Sequence, residues 1–143
     1  MALQISMAVV GSVGFAMLFN LRSKHLFFAA LGGGLTWGIY LFCSGWMDSF
    51  FACNLAAAIG ASIYGEVMAA IFKTPFVIFR IPAMVPLIPG GSLYYTINAA
   101  LLKDQAAFEE KGMETMAAAL AISVGIVAVN LVAGYIRKEG PSH

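Results

Sequence analysis

The stretch FVIFRIPAMVPLIPGGSLYYTIN, residues 76–98, decides how this chain folds. It carries a single charge, but its middle contains residues that interrupt a helix: Pro82, Pro86, Pro89, Gly90 and Gly91. A proline inside a helix removes a backbone hydrogen-bond donor and collides with the preceding turn, which costs about 3 kcal/mol. We therefore predict a short helix that ends at about Pro82, an irregular turn over residues 86–91 and a new helix from Ser92.

The composition of the chain indicates that this stretch lies in lipid. Of the 143 residues, 61% are apolar and only 10% are charged. Soluble domains carry about 25% charged residues, so this chain cannot cover a surface that faces water. Its formal net charge of +1 also leaves no basic surface for nucleic acid. The composition predicts an all-α, multi-pass integral membrane protein that does not bind nucleic acid.

Runs without charged residues predict where the membrane-spanning helices lie. A helix needs about 20 apolar residues to cross a hydrocarbon core of about 30 Å. This length predicts five spans in a single transmembrane domain, residues 1–143, with the fourth span broken by the proline–glycine turn. The predicted spans are residues 3–19, 26–43, 50–72, 76–102 and 116–136. The connections between them are short, except for residues 103–115.

Basic residues in the connections predict the orientation of the chain. Arg22 and Lys24 lie in the first connection, Lys73 lies in the third, and Arg137 and Lys138 follow the last span. Five crossings put these three segments on one side of the membrane, which the positive-inside rule makes cytoplasmic. We therefore expect the N-terminus outside the cell and the C-terminus in the cytoplasm. A four-span arrangement fits less well, because it separates the basic tail from the first connection.

A broken helix inside a bilayer exposes main-chain groups that lipid cannot satisfy. Such breaks are tolerated where protein or a water-filled cavity surrounds them, and transporters use them near the membrane middle to bind ions and substrates. We expect the break to lie at that depth, beside a polar cavity that holds substrate. The residues expected to line this pathway are Arg80, Pro82, Pro86, Pro89, Gly90, Gly91, Ser92, Tyr94 and Asn98. The alternative is a proline-kinked span without a ligand.

Two charged residues fall inside the predicted spans. Arg80 precedes the break, where its guanidinium either binds an anionic substrate or reaches the cytoplasmic headgroups. The third span carries a row of small or polar residues at every fourth position, on one helix face: Asn54, Ala58, Ser62 and Glu66. Because intramembrane acids often belong to proton relays, Glu66 is the candidate for proton coupling. The alternative is a fixed ion pair between Glu66 and either Arg80 or Lys73.

The sequence offers little to support catalysis or metal binding. Cys43 and Cys53 have neither a second cysteine pair nor a histidine at zinc-ligand spacing. No nucleophile with an adjacent base and no phosphate-binding loop is visible in the sequence. We expect no enzymatic activity, no cofactor and no metal.

Two segments resemble a known family. Residues 81–95, IPAMVPLIPGGSLYY, look like the proline–glycine signature of the threonine/serine exporter family. Residues 14–22, GFAMLFNLR, resemble the start of the small module of that family. In this family one form fuses two membrane modules, and a split form places them on separate chains. The present chain is similar to the short, C-terminal type module over nearly its whole length.

The resemblance implies a function, a location and a partner. It implies a subunit of a secondary transporter that exports a small-molecule substrate, namely threonine, serine or a dicarboxylate such as succinate. Its location is then the lipid bilayer of a bacterial-type cell (plasma) membrane. The implied partner is a larger membrane subunit of the same exporter family, with a homo-oligomer as the alternative. A different function class stays open, namely a non-transporting scaffold whose broken helix only docks a partner.

The motif and the physical reasoning contribute different site residues. The resemblance carries over the pathway positions that match the signature: Pro82, Pro86, Pro89, Gly90, Gly91 and Tyr94. Arg80 and Glu66 rest on the physical argument about buried charge alone.

Overall fold

The computed structural model describes residues 2–21 and 23–139, and all regular secondary structure within those ranges is helical. The helices are α1 (Ala2–Leu18), α2 (Ser23–Ser44), α3 (Phe50–Phe72), α4 (Val77–Met84), α5 (Gly90–Leu102) and α6 (Gln105–Glu139). A single 3-10 turn, Val85–Leu87, continues α4. The predicted all-α fold class is confirmed.

Helix length supports fewer membrane crossings than we predicted. Three helices are long and apolar enough to cross a membrane, namely α2, α3 and α6. They become four if α4 with its 3-10 turn and α5, which are bent by 49° relative to each other, form one broken span. The helix α1 is apolar but has only 17 residues. Five spans and the orientation of the chain therefore remain predictions.

The proline-rich segment is more helical than we predicted. The helix α4 passes through Pro82 and ends at Met84, and α5 begins at Gly90 rather than at Ser92. Pro86 is the second residue of the 3-10 turn. At the start of a helix the backbone N–H has no partner within the helix, so a proline there removes no hydrogen bond. Pro89 is the N-cap residue of α5, where its missing N–H is also harmless.

Most of the long predicted connection over residues 103–115 is helical. Only Lys103 and Asp104 join α5 to α6, and the chain is helical from Gln105 onward. Lys103 adopts a left-handed conformation with φ 56°, which ends α5. The carboxylate of Asp104 then accepts a hydrogen bond from the Ala107 amide at 3.1 Å and starts α6.

Small residues allow the helices to approach closely. The broken helix α4 packs between α2 and α3, and α6 packs along α3. A Cβ atom on Gly65 would lie 2.9 Å from Arg80 Cβ, and one on Gly125 would lie 2.9 Å from Ala58 Cβ. The Tyr64 hydroxyl also donates a 2.6 Å hydrogen bond to the Phe28 carbonyl, which ties α3 to α2.

The register of α6 along α3 locates the break. Gly125 faces Ala58, and Ile126 packs beside Ala61, so the two helices run parallel. Since both helices rise equally per residue, this register places about Met116 level with the first residue of α3. The first part of α6, together with α5, therefore extends past the end of α3.

The break consequently lies closer to one end of the bundle than we expected. Ser92, just after the break, contacts Glu114, which precedes Met116. Because α3 coincides with the predicted third span, the break is level with one edge of that span instead of its middle. The reason is that α4 and its 3-10 turn continue past Pro82 and follow α3 as far as Ala57 and Ala58.

We predict that Gly125→Leu destabilises the protein by about 1–3 kcal/mol, because the larger side chain forces α6 away from the α3 backbone. The readout is the thermal midpoint of the detergent-solubilised protein. Gly134→Leu is the matched control, since no atom lies within 4 Å of its built Cβ. Equal midpoints for the two variants would contradict the α3–α6 packing described here.

Candidate functional site

A buried arginine joins three helices at the centre of the candidate site. Arg80 on α4 is 5% exposed. Its Nη2 lies 2.9 Å from Oε1 of Glu66 on α3, and its Nη1 donates a 2.8 Å hydrogen bond to Oδ1 of Asn130 on α6. The guanidinium thus connects α3, α4 and α6 through charged or polar contacts.

Local sequence explains how these groups meet. Gly65 precedes Glu66 and has no side chain, so the α4 backbone at Arg80 can lie directly against α3. The ring of Phe76, at the start of α4, lies with its centroid 4.3 Å from Arg80 Cζ. A cation above an aromatic face is stabilised by the ring quadrupole, so Phe76 adds a further partner for the guanidinium.

This geometry bears on the two alternatives for Arg80 and Glu66. The Arg80 side chain is buried among the helices, where it contacts Glu66 and Asn130. Glu66 forms the ion pair with Arg80 that we considered as one alternative. The row that precedes Glu66, comprising Asn54, Ala58 and Ser62, is buried, as expected for a face that avoids lipid.

The structure separates the predicted pathway residues into two groups. Arg80 and Pro82 are buried in the bundle. The residues of the break and of α5 lie farther out. Pro86, Pro89 and Ser92 are half-buried, and Gly90, Gly91, Tyr94 and Asn98 are exposed. The two cavities described below that border this segment are each lined by members of only one group, Pro82 in one case and Pro86 in the other.

The first turn of α5 is tied to α6 by polar contacts. The Ser92 hydroxyl donates to Oε2 of Glu114 at 3.4 Å, and Lys111 Nζ lies 2.9 Å from the other oxygen of Glu114. One turn later, the hydroxyls of Thr96 and Thr115 are 3.5 Å apart. The main packing partner of α5 is α6, so most of the α5 surface faces away from the bundle.

Two cavities border the proline-rich segment. One has a volume of about 330 Å³ and is lined by Pro82 together with Asn20 and His25 near the first connection. The other has a volume of about 320 Å³ and is lined by Pro86 together with Gln4 and Trp37. Sequence reasoning missed the polar residues of both cavities, because each lies far along the chain from the proline it meets.

The chemistry available at the site is that of a carboxylate, a guanidinium and amides. Over residues 2–21 and 23–139, no group of three or more metal-ligating side chains comes together. A proton would compete with the guanidinium for the carboxylate of Glu66, whereas a carboxylate ligand would compete with Glu66 for the guanidinium.

The comparisons with known proteins agree with the resemblance noted in the sequence. A family model described as "Threonine/Serine exporter, ThrE" matches residues 4–132. The match includes the proline–glycine break and the three residues of the polar cluster around Arg80, namely Glu66, Arg80 and Asn130. No solved structure matches the chain.

We predict that Arg80 and Glu66 are energetically coupled. Removing one member of a buried ion pair typically destabilises a protein by about 3–5 kcal/mol, whereas removing both restores much of that loss. Arg80→Gln should therefore lower the thermal midpoint in detergent strongly, and Arg80→Gln combined with Glu66→Gln should recover part of it. Strictly additive midpoint changes would show that the pair is not coupled.

Proposed function

The chain belongs to the threonine/serine exporter family, and we propose that it is one subunit of a proton-coupled secondary transporter. The proposed cargo is a small polar metabolite, either a threonine- or serine-type amino acid or a dicarboxylate such as succinate. Membership of a transporter family favours transport over catalysis. The family and the apolar helices place the chain in a membrane, and we propose the plasma membrane of a bacterial-type cell.

The observation that carries this proposal is the polar cluster in which the buried Arg80 contacts the half-buried Glu66 and the exposed Asn130. An arginine or aspartate at the centre of a membrane helix costs about 2.5–3.5 kcal/mol on insertion scales. Ionisable residues in this environment commonly mark proton relays and substrate pathways. Arg80, the central residue of the cluster, lies on α4, which ends shortly afterwards at Met84. A change in the charge of the cluster can therefore move α4, because the break separates it from α5.

The contacts around Arg80 suit an exchangeable pair. When Glu66 takes up a proton, its attraction to Arg80 falls, because the carboxyl group loses its charge. Arg80 still has the Asn130 amide oxygen and the Phe76 ring as partners. Under the proposed function, protonation of Glu66 loosens α3 from α4 and leaves α4 attached to α6. The break before α5 then lets α4 move without carrying α5 with it.

The exposure of the predicted pathway residues favours an arrangement in which a partner subunit covers them. Gly90, Tyr94 and Asn98 lie on the outer surface of this chain. They can line a pathway only if another chain covers them. Transport sites of inverted-repeat transporters lie between two such helical units. We propose that the larger membrane subunit of the family supplies the second unit, with a second copy of this chain as the alternative.

The same exposure favours the second candidate function, a scaffold whose α5 surface only docks a partner. The two functions differ in the role of Glu66. In a transporter Glu66 acts in each transport cycle, whereas in a scaffold it contributes only to the stability of the assembled complex.

We predict that Glu66→Gln abolishes proton-dependent export while the complex still assembles. The measurement is export of serine, threonine and succinate from proteoliposomes that contain both subunits, with and without a pH gradient. Glu109→Gln is the matched control, because Glu109 is an exposed acid of α6 whose carboxylate accepts a hydrogen bond from Gln105 on the same helix. Lost assembly with unchanged export per assembled complex would favour the scaffold instead.

We further predict that the chain co-purifies with the larger subunit encoded beside it and that export requires both chains. The expected result is loss of export of the transported compound after deletion of either chain. If the pair moves none of the three compounds, and single deletions leave efflux unchanged, the proposed function is wrong.

A further inference from the structure

The cavity beside the first connection carries an inference that rests on the proposed function and extends it. We propose that this cavity is the loading site for cargo, where the cargo carboxylate binds Asn20 and His25 before it moves along α4. The lining residues of the cavity are Phe19, Asn20, Leu21, His25, Val77, Ile78, Ile81 and Pro82.

The size and lining of the cavity fit a small polar metabolite. Its volume of about 330 Å³ falls at the lower end of the range of about 300–1,000 Å³ typical of small-molecule sites. Most of the residues that line it are apolar, and the polar members of the lining are Asn20 and His25. A mostly apolar pocket with a few placed polar groups is the usual form of such a site.

His25 is held in a fixed orientation. Its ring lies nearly perpendicular to the rings of Phe72, at 5.3 Å, and Phe79, at 5.5 Å between centroids. Packing between two aromatic rings limits the rotation of the imidazole. A ring fixed in this way loses little entropy when it binds a ligand, which favours a binding role over simple packing.

The charge around the cavity favours a carboxylate. Val77 and Ile78 belong to the first turn of α4, where the helix dipole is positive. The imidazole and the Asn20 amide add hydrogen-bond donors. The group these features share is the carboxylate that serine, threonine and dicarboxylates all carry.

The cavity lies next to the polar cluster around Arg80. Ile81 and Pro82 on its wall directly follow Arg80 on α4. A ligand that fills the cavity therefore contacts α4 directly beside Arg80, the residue that pairs with Glu66. The basic residues of the first connection predict that this side is cytoplasmic, which is the side where an exporter takes up its cargo.

The first test fills the cavity. Val77→Trp places a large ring in the cavity, and we expect at least a tenfold loss of export by the two-subunit complex in proteoliposomes. Val67→Trp is the matched control, because Val67 is similarly exposed on α3 and does not line the cavity. Equal export by the two variants would overturn the proposal.

The second test removes single donors without changing the backbone or the packing. His25→Phe retains the edge-on ring contacts, and Asn20→Gly retains the left-handed backbone at φ 53°. For each variant we expect an increase of about tenfold in the KM for export, the effect of losing one hydrogen bond to a charged group. An unchanged KM for both variants would also overturn the proposal.

The third test measures binding directly and identifies the ligand. A cysteine introduced as Ile78→Cys, with Cys43→Ala and Cys53→Ala in the same chain, is labelled with a maleimide in the purified complex. We expect the transported compound, serine, threonine or succinate, to slow labelling in detergent without added lipid. If only an anionic phospholipid slows labelling, or nothing does, the cavity is not the cargo site.

These outcomes separate the loading site from the proposed function itself. A wild-type complex that exports cargo and is insensitive to Val77→Trp retains the proposed function without this loading site. A wild-type complex that exports none of the three compounds contradicts the proposed function. The labelling experiment then still decides whether the cavity binds a carboxylate.

Discussion

The structure depends on how the chain accommodates one positive charge inside an apolar bundle. Arg80 is buried, and an isolated charge in this environment would oppose insertion. The chain resolves this by converging three helices on the guanidinium: Glu66 supplies the opposite charge, Asn130 an amide oxygen and Phe76 an aromatic face. Because these partners lie on α3, α6 and the start of α4, satisfying Arg80 also fixes how those helices pack.

The second constraint is that α4 must lie very close to α3 for Arg80 to reach Glu66. A side chain at Gly65 would collide with the α4 backbone, so the ion pair and the small residue before Glu66 act together. Beyond the 3-10 turn, α5 leaves the bundle and packs mainly on α6, to which Ser92 and Thr96 connect it through Glu114 and Thr115. The break therefore divides the segment into a half held by buried polar contacts and a half whose surface is open to another chain or to lipid.

Sequence reasoning found the features that depend on local composition and missed those that depend on register. The limits of α3 are those predicted, because local features stand at both ends: Ser49 caps the first turn, and Lys73 ends the helix in a left-handed conformation. The sequence predicted a long connection over residues 103–115, and most of it belongs to α6, which Asp104 caps. The depth of the break and the meeting of His25 with α4 depend on packing between distant segments, which one sequence does not reveal. The pairing of Glu66 with Arg80 was one of the alternatives from sequence, but Asn130 as a third member was not.

The two interpretations of Glu66, a fixed ion pair and a proton carrier, are compatible in this geometry. A carboxylate that pairs with an arginine can take up a proton only if the arginine keeps enough partners to remain buried. Asn130 and Phe76 provide such partners on α6 and α4, so loss of the Glu66 charge does not leave the guanidinium with apolar neighbours alone. A scaffold gains nothing from these additional partners of Arg80, since an apolar contact of equal volume would hold the helices together at least as well. The additional partners are useful to a protein in which the contact between α3 and α4 opens and closes while α4 stays attached to α6.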